Sequence, residues 1–341
     1  MRVLLIKRDK LGDLLLTTPL LAHVRATRPD IELHLLANDY NAWVVRDHPA
    51  LAKLWVYPRV RHRGRVRIGA AIAQVPLWLA LRRQHFAAAI AMGGDESHRA
   101  IKRAIATGAA EVIAYAADAA AYGRRLTHPL PVPQTGHEVD RMAALLAPLG
   151  IAPPAQWAAP TYVPAESAQR FAFAWLSERG LAWQRYAVIG IGARRAKKQP
   201  GTDQLERWAR WLEREHALRT VFMWTPGARE APGYPGDDDI AAPLLARGLP
   251  FVSPFRGPVA EALGLIHGAR TSIFPDSGLM HFAAASPGGV LGLFADPADS
   301  APASRWAPLG PRARYLEAER SVRELEDEQV FAEVEMLLHG R

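Results

Sequence analysis

The sequence predicts an α/β protein built from two Rossmann-like parallel-sheet domains. Short apolar runs alternate with longer helical patterns, a βα rhythm that implies a parallel sheet covered by helices on both faces. The rhythm starts again in the second half, after a Pro- and Ala-rich break. The length, 341 residues, suits two domains at roughly 100 to 200 residues each.

In the first half, strands are expected at 3–7, 31–37, 54–57, 86–92 and 111–115, with a helix over 14–27. Residues 150–164, "GIAPPAQWAAPTYVP", can continue neither a helix nor a central strand and mark the linker. The second series runs through a helix at 167–179, a strand at 186–191, a helix at 203–215 and a strand at 220–224. After a Gly/Pro/Asp loop come helices near 240–246 and 259–268 and strands at 271–274 and 290–294. Ser321 and Glu324 have capping-box spacing and open a last helix that runs to about Leu338. The expected domains are therefore 1–155 and 165–320, followed by a C-terminal helix over 321–341.

With 49% hydrophobic and 22% charged residues, a wholly disordered or fibrous chain is excluded. Cysteine is absent, which removes disulfides, thiolate metal sites and thiol nucleophiles. Met1 to Leu5 reads as a strand, so no export signal is expected. The weakly polar stretch 68–81 is interrupted by Gln74 and Pro76 and is shorter than the roughly 18 residues of a spanning helix. A soluble or peripheral protein follows. Up to residue 150, 21 basic residues face 12 acidic ones; beyond it, 21 face 22. The positive excess thus lies in the first half, which suggests a polyanion there: nucleic acid, an anionic membrane surface or a phosphorylated glycan.

Ligands of parallel sheets bind at the carboxyl ends of the strands, so function is sought at strand-to-helix turns. In "KRDKLGDLLLTTPLL", Gly12 and Asp13 stand between the first strand and its helix. Asp13 is there either to cap the helix or to act as a general base. The turn has no GxGxxG or P-loop pattern, which weighs against a dehydrogenase or an ATPase. In "IGARRAKKQPGTDQLERW", Gly192 precedes four cations, Arg194, Arg195, Lys197 and Lys198. They form either a solvated run or a cradle for an anionic ligand such as a pyrophosphate. In "FPDSGLMHF", the amides of Ser277, Gly278 and Leu279 at a helix start suit an anion, and Asp276 suits sugar hydroxyls. His281 by itself reads as a packed helical histidine. The stretch "RVRHRGRVR" carries Arg59, Arg61, Arg63, Arg65 and Arg67 at every second position. If extended, it would project all five from one face. It has no interleaved aromatics and no recognisable nucleic-acid-binding fold; nucleic acid is one possible partner, and phosphorylated glycolipid at a membrane surface fits equally well.

Taken together, "VLLIKRDKLGDLLLTTPLLAHVRATRPDIELHLLA", "GIGARRAKKQP", "WTPGARE" and "DSGLMHFAAASPGGVLGLFADP" occur in the order and at the approximate spacing of glycosyltransferase family 9. The chain resembles the ADP-heptose:lipopolysaccharide heptosyltransferases of that family. The resemblance implies the GT-B architecture, two Rossmann-like domains facing a central cleft, the first for the acceptor and the second for the nucleotide-sugar donor. It makes Asp13 the base and Lys197 the residue that stabilises the diphosphate. It places Ser277, Gly278 and His281 around the diphosphate and Asp276 near the transferred sugar, with Gly192, Arg194, Arg195, Leu279 and Glu230 as further donor-binding candidates. Gly12, Arg59, Arg61, Arg63 and Arg65 fall on the acceptor side. Two positions depart from the family pattern: Gln199 replaces the tryptophan of a Lys-x-Trp-Pro segment, and Ala228 replaces a glutamate that commonly follows the Gly. The implied activity is inverting transfer of heptose from ADP-heptose to the phosphorylated inner core of lipopolysaccharide, at the cytoplasmic face of the inner membrane, which leaves nucleic acid not expected as a partner. No run of metal-binding carboxylates is visible, so neither metal nor cofactor is expected. A GT-B enzyme using another nucleotide sugar, a nucleotide-sugar epimerase, and a non-catalytic binder with a decayed site are the alternatives.

Overall fold

Parallel strands cannot be joined by a tight turn, so each must be followed by a crossover, usually helical. Both halves of the chain follow this rule with one topology. The structure, a computed structural model, describes residues 1–62, 65–230 and 236–340, at 61, 62, 65 and 66 by the backbone alone. It divides into two compact units, Met1–Trp157 and Ala158–Arg341.

In the first unit the order is β1 (Arg2–Ile6), α1 (Leu11–Leu15), α2 (Thr18–Thr27), β2 (Glu32–Asn38) and β3 (Lys53–Tyr57). A small hairpin, β4 (Arg61–His62) and β5 (Arg65–Val66), leads to α3 (Ile68–Ile72) and α4 (Gln74–Arg82). Then come β6 (Ala88–Ala91), α5 (His98–Ala106), β7 (Glu111–Tyr115), β8 (His128–Leu130) and α6 (Glu138–Ala144). The second unit runs α7 (Glu166–Ser177), β9 (Tyr186–Gly190), α8 (Thr202–His216), β10 (Arg219–Met223), α9 (Asp238–Leu245), β11 (Val252–Phe255) and α10 (Val259–Gly268). It closes with β12 (Thr271–Pro275), α11 (Gly278–Ala284), β13 (Val290–Ala295), α12 (Ala303–Trp306), β14 (Ala313–Ala318) and α13 (Asp327–His339).

The sheets are ordered β3-β2-β1-β6-β7-β8 and β11-β10-β9-β12-β13-β14, with parallel ladders throughout. Counted within each sheet, this is the Rossmann order 3-2-1-4-5-6, whose direction reverses beside the first strand. The central strands are buried on both faces, as in β9, β12 and β13, and therefore read as mostly apolar runs, with Thr271 and Ser272 opening β12.

Several elements differ from the sequence reading. The helix expected over 14–27 starts earlier, at Leu11, and is two helices. Pro19 sits in the first turn of α2, where its missing N–H costs no helical bond. Gly12 and Asp13 consequently lie inside α1 instead of ahead of it. Strands β8, β11 and β14 escaped notice because they lie toward or at the sheet margins and are partly exposed. Ser321 and Glu324 do form a capping box, but it opens a single 3₁₀ turn, Val322–Glu324. The helix proper starts at Asp327 behind a second box made by Glu326 and Gln329.

Helix α13 packs on α8, where Trp208 is fully buried and its Nε1 donates to Asp327 Oδ1 at 2.8 Å. One turn on, Trp211 stacks on Phe331 with centroids 4.3 Å apart. Trp208→Ala is expected to cost about 3–5 kcal/mol, to be read as a lowered urea midpoint of the second unit's tryptophan fluorescence transition.

Candidate active site

The exit of β1 carries a buried charge cluster. Lys7 is completely buried, its Nζ 2.9 Å from Asp9 and 3.8 Å from Glu138. Burial alone would lower its pKa, but the carboxylates of Asp9, Glu138 and Asp13 carry it above the ordinary value. Glu138 is anchored by the N–H of Gly94, 2.9 Å away in the loop that leaves β6. A Cβ on Gly94 would stand 2.2 Å from that carboxylate, so any other residue there would displace Glu138. The cluster thus straddles the switch point between β1 and β6.

Asp13 is the third residue of α1, and its Oδ2 accepts the N–H of Lys10 at 3.1 Å. The carboxylate therefore helps to cap its own helix, from the third helical position and not as the N-cap residue. Burial pushes its pKa up, Lys7 opposes the shift, and Asp9 adds to it. The β1 exit loop is fixed from β2: Asn38 Nδ2 donates to the carbonyl of Arg8 at 3.0 Å, and Asn41 Nδ2 to that of Asp9 at 2.9 Å.

Beside this loop, within the first unit, lies a cavity of about 440 Å³ lined by Arg8, Asn38, Tyr57, Arg59, Arg99 and Arg103, with Val60. The Nε atoms of Arg8 and Arg103 are buried and have no hydrogen-bond partner among the described residues. Arg103 lies over the ring of Tyr57, 4.4 Å from its centroid. Burial depresses its pKa; Tyr57 opposes that shift, and the charges of Arg8 and Arg99 add to it. Four guanidinium groups converging on one hollow suit a multivalent oxyanion. Of these only Arg59 is visible as a candidate in the sequence. Arg99 and Arg103 share a face of α5 at i, i+4 spacing, a signal available once that helix is recognised.

The arginine strip is not one extended strand. Arg61–His62 and Arg65–Val66 pair antiparallel, so the chain doubles back and the five cations cannot share a single row. Arg59 donates to Asp39 Oδ1 at 2.9 Å and stacks on Tyr40. The side chains of Arg61 and Arg65, and all of Arg63, lie outside the described residues.

In the second unit, the loop after β9 and the turn after β12 meet at the equivalent switch point. Lys198 is buried and ion-paired with Asp276, whereas Lys197 pairs with Asp296 and lies 3.8 Å from Asp299. The lysine that the structure brings to Asp276 is therefore Lys198, one residue beyond the one the family pattern singles out. Arg195 donates to the carbonyl of Asp299 and to Ser300 Oγ; Arg194 is exposed. Gln199 is buried, its Nε2 donating to the carbonyl of Ala193 at 2.6 Å and lying 3.4 Å from Asp237 Oδ1. Asp237 fills the space beside Gly192, where a Cβ would stand 2.0 Å from its carboxylate, and burial raises its pKa. Ser277 is the N-cap residue of α11, Gly278 is exposed, Leu279 is half-buried and His281 is buried. Ala228 accepts the N–H of Gly236 at 2.9 Å, and Glu230 is exposed.

Among the described residues, one group could gather a cation. His216, Glu335 and His339 bring ligand atoms within 4.8 Å of one another. His216 ends α8, fifteen residues along the helix from its start beside the lysine loop, a span of about 22 Å at 1.5 Å per residue. This group has no part in the candidate site.

The family model for glycosyltransferase family 9 (heptosyltransferase) matches residues 75–334. The chain belongs to that family. No curated protein matches the chain. Among solved structures, this family 9 chain is similar to a glycosyl transferase family 9 protein from Veillonella parvula DSM 2008, with 17% identity, TM-score 0.80 and coverage of 100% and 97% of the two chains. It is also similar to the E. coli ADP-heptose lps heptosyltransferase II, at 18% identity, TM-score 0.73 and coverage of 99% and 98%. A third likeness is to E. coli heptosyltransferase WaaC with ADP-2-deoxy-2-fluoro heptose, at 20% identity, TM-score 0.70 and coverage of 98% and 99%. The family 9 fold here is accordingly of the GT-B type, and the chain is a glycosyltransferase of the heptosyltransferase kind.

Because the folded pKa of Asp13 is raised, the folded protein holds that proton more tightly than the unfolded chain does. The group's stabilising contribution is full below the unfolded carboxylate pKa and is lost as pH rises through the folded value. Asp13→Asn in this family 9 enzyme is expected to gain stability relative to wild type between about pH 4 and neutrality, measured as the difference in Tm across that range. A difference independent of pH would contradict it.

Proposed function

We propose that this family 9 enzyme is an inverting heptosyltransferase. It moves heptose from ADP-heptose to the phosphorylated inner core of lipopolysaccharide at the inner face of the cytoplasmic membrane. An acceptor hydroxyl attacks the anomeric carbon of the donor. The new C–O bond forms as the bond to the β-phosphate oxygen breaks, the electron pair leaving with ADP. The hydroxyl proton passes to the Asp13 carboxylate. A base works best with a pKa near the operating pH, and burial shifts Asp13 upward in that direction.

The departing diphosphate needs positive charge and amide donors where its own charge develops. Lys197 and Lys198, held by Asp296 and Asp276, and the amides of Ser277, Gly278 and Leu279 are assigned that task. Asp276 orients hydroxyls of the transferred sugar. The cavity of Arg8, Arg59, Arg99 and Arg103 is assigned the phosphates or carboxylates of the acceptor, the role the sequence reading gave to the arginine strip.

The observation that carries this reading is the family match over residues 75–334. Asp13 lies outside that span, so its assignment stands on the cluster at the exit of β1. The test incubates the protein with ADP-heptose and a heptose-free, Kdo-bearing core oligosaccharide in excess EDTA, with the product read by mass spectrometry. One added heptose is expected. Asp13→Asn should lower turnover by at least about 100-fold while calorimetric ADP affinity stays within roughly twofold of wild type. Absence of product across a panel of nucleotide sugars would overturn the assignment.

Arg103→Met should raise the acceptor KM by about tenfold, the loss of one charge-assisted hydrogen bond, and leave ADP affinity unchanged. Equal weakening of donor and acceptor would remove the cavity from the acceptor site.

A further inference from the structure

Helices α3 and α4 follow one another with only Ala73 between them, and its backbone is also helical. Their inner face carries Ala70, Gln74 and Leu81, which are buried, with Leu77 and Trp78 packed against the first unit's core. Gln74 Nε2 also donates to the carbonyl of Pro58 at 2.8 Å. An amphipathic surface helix would turn polar groups outward. This one does not. Ile68, Ile72, Val75 and Leu79 are 71%, 66%, 57% and 49% exposed, and their spacing of four, three and four residues sets them in one outward stripe. A groove of about 360 Å³ opens along it, lined by Val75, Trp78, Leu79, Arg82 and Ala106.

The stretch of chain that carries the stripe has charges of one sign. From His48 to Gly94 the sequence contains Lys53 and seven arginines and no carboxylate. Arg67 precedes the stripe, and Arg82 and Arg83 end it, all three exposed. Arg82 spends its Nε on the carbonyl of Ala106 at 2.9 Å, which holds its guanidinium at the rim of the groove. No helix among the described residues is long and apolar enough to cross a membrane. An aliphatic stripe between arginines, with no acidic residue in its own stretch of chain and Asp39 3.8 Å from Arg67 at one end, is the pattern of a helix lying in the plane of a lipid interface, its apolar side in the acyl boundary and its cations among phosphates.

We propose that α3 and α4 dock the first unit on an anionic phospholipid surface. Ile68, Ile72, Val75 and Leu79 enter the acyl boundary, Arg67, Arg82 and Arg83 meet lipid phosphates, and the groove beside Trp78 receives part of an acyl chain. This surface shares no lining residue with the arginine cavity. It rests on the heptosyltransferase reading only in that a lipid-borne acceptor must be met at a membrane.

The test is co-sedimentation of the full chain with vesicles of phosphatidylcholine alone and with 30 mol% phosphatidylglycerol, at low and high salt. The expected result is binding at least on the order of tenfold tighter to the anionic vesicles, weakened by salt. Ile72→Asp with Leu79→Asp should abolish binding to both vesicle types, with Tm unchanged since both side chains are exposed. Arg82→Glu with Arg83→Glu should remove the preference for anionic lipid. Wild-type protein that fails to sediment, that binds both vesicle types equally, or that binds as well with both aspartates in place would overturn the proposal. So would a wild-type dimer in light scattering that the aspartate pair converts to monomer, since the stripe would then be a protein interface. Turnover on the soluble, lipid-free acceptor separates the two readings: the aspartate pair should keep it, whereas wild type without it refutes the transferase and leaves the docking result standing.

Discussion

Parallel pairing is the constraint from which the rest of this structure follows. Each pair of parallel strands needs a crossover, and in the order 3-2-1-4-5-6 the crossovers diverge beside the first strand. The gap so produced cannot be filled by backbone, and side chains must close it. In the first unit Lys7 does so, an ammonium group with no solvent exposure held among Asp9, Asp13 and Glu138. In the second unit the same gap receives Lys198 and Asp276. A buried charge pair is weak evidence for stability, and breaking one leaves an uncompensated ion. Such pairs at both switch points suit a chain whose sheets place chemistry there.

What could be read from the sequence depended on how local the signal was. Strands β1, β9 and β12 stand out because they are covered on both faces and mostly apolar, with only Arg2 in β1 and Thr271 and Ser272 in β12 as polar side chains besides the Tyr186 hydroxyl of β9. Strand β14 alternates exposure, and β11 contains Pro254, tolerated at a sheet edge; neither leaves the same trace. Asp13, Lys197 and Asp276 lie in contiguous motifs and were visible as candidates. Lys7 with Glu138, and Arg8 with Arg99 and Arg103, are gathered from positions about ninety or more residues apart, and no spacing rule reaches so far. The arginine strip failed for another reason. Period two predicts a row only while the chain stays extended, and here it turns back on itself.

The two departures from the family pattern have different structural weight. Gln199 braces the cationic loop from inside, donating to Ala193 and lying close to Asp237. A residue so placed fixes the loop's shape and offers little surface of its own. Ala228 is exposed, and its carbonyl accepts the N–H of Gly236 across the loop.

The arginine cavity has a consequence for the resting protein. Like charges crowded around one hollow repel one another, and two of their buried Nε donors have no partner among the described residues. Any multivalent anion that enters relieves both costs at once, and by mass action it shifts the folding equilibrium as well. The melting temperature of this protein is therefore expected to depend on its buffer, higher in phosphate, sulfate or citrate than in chloride.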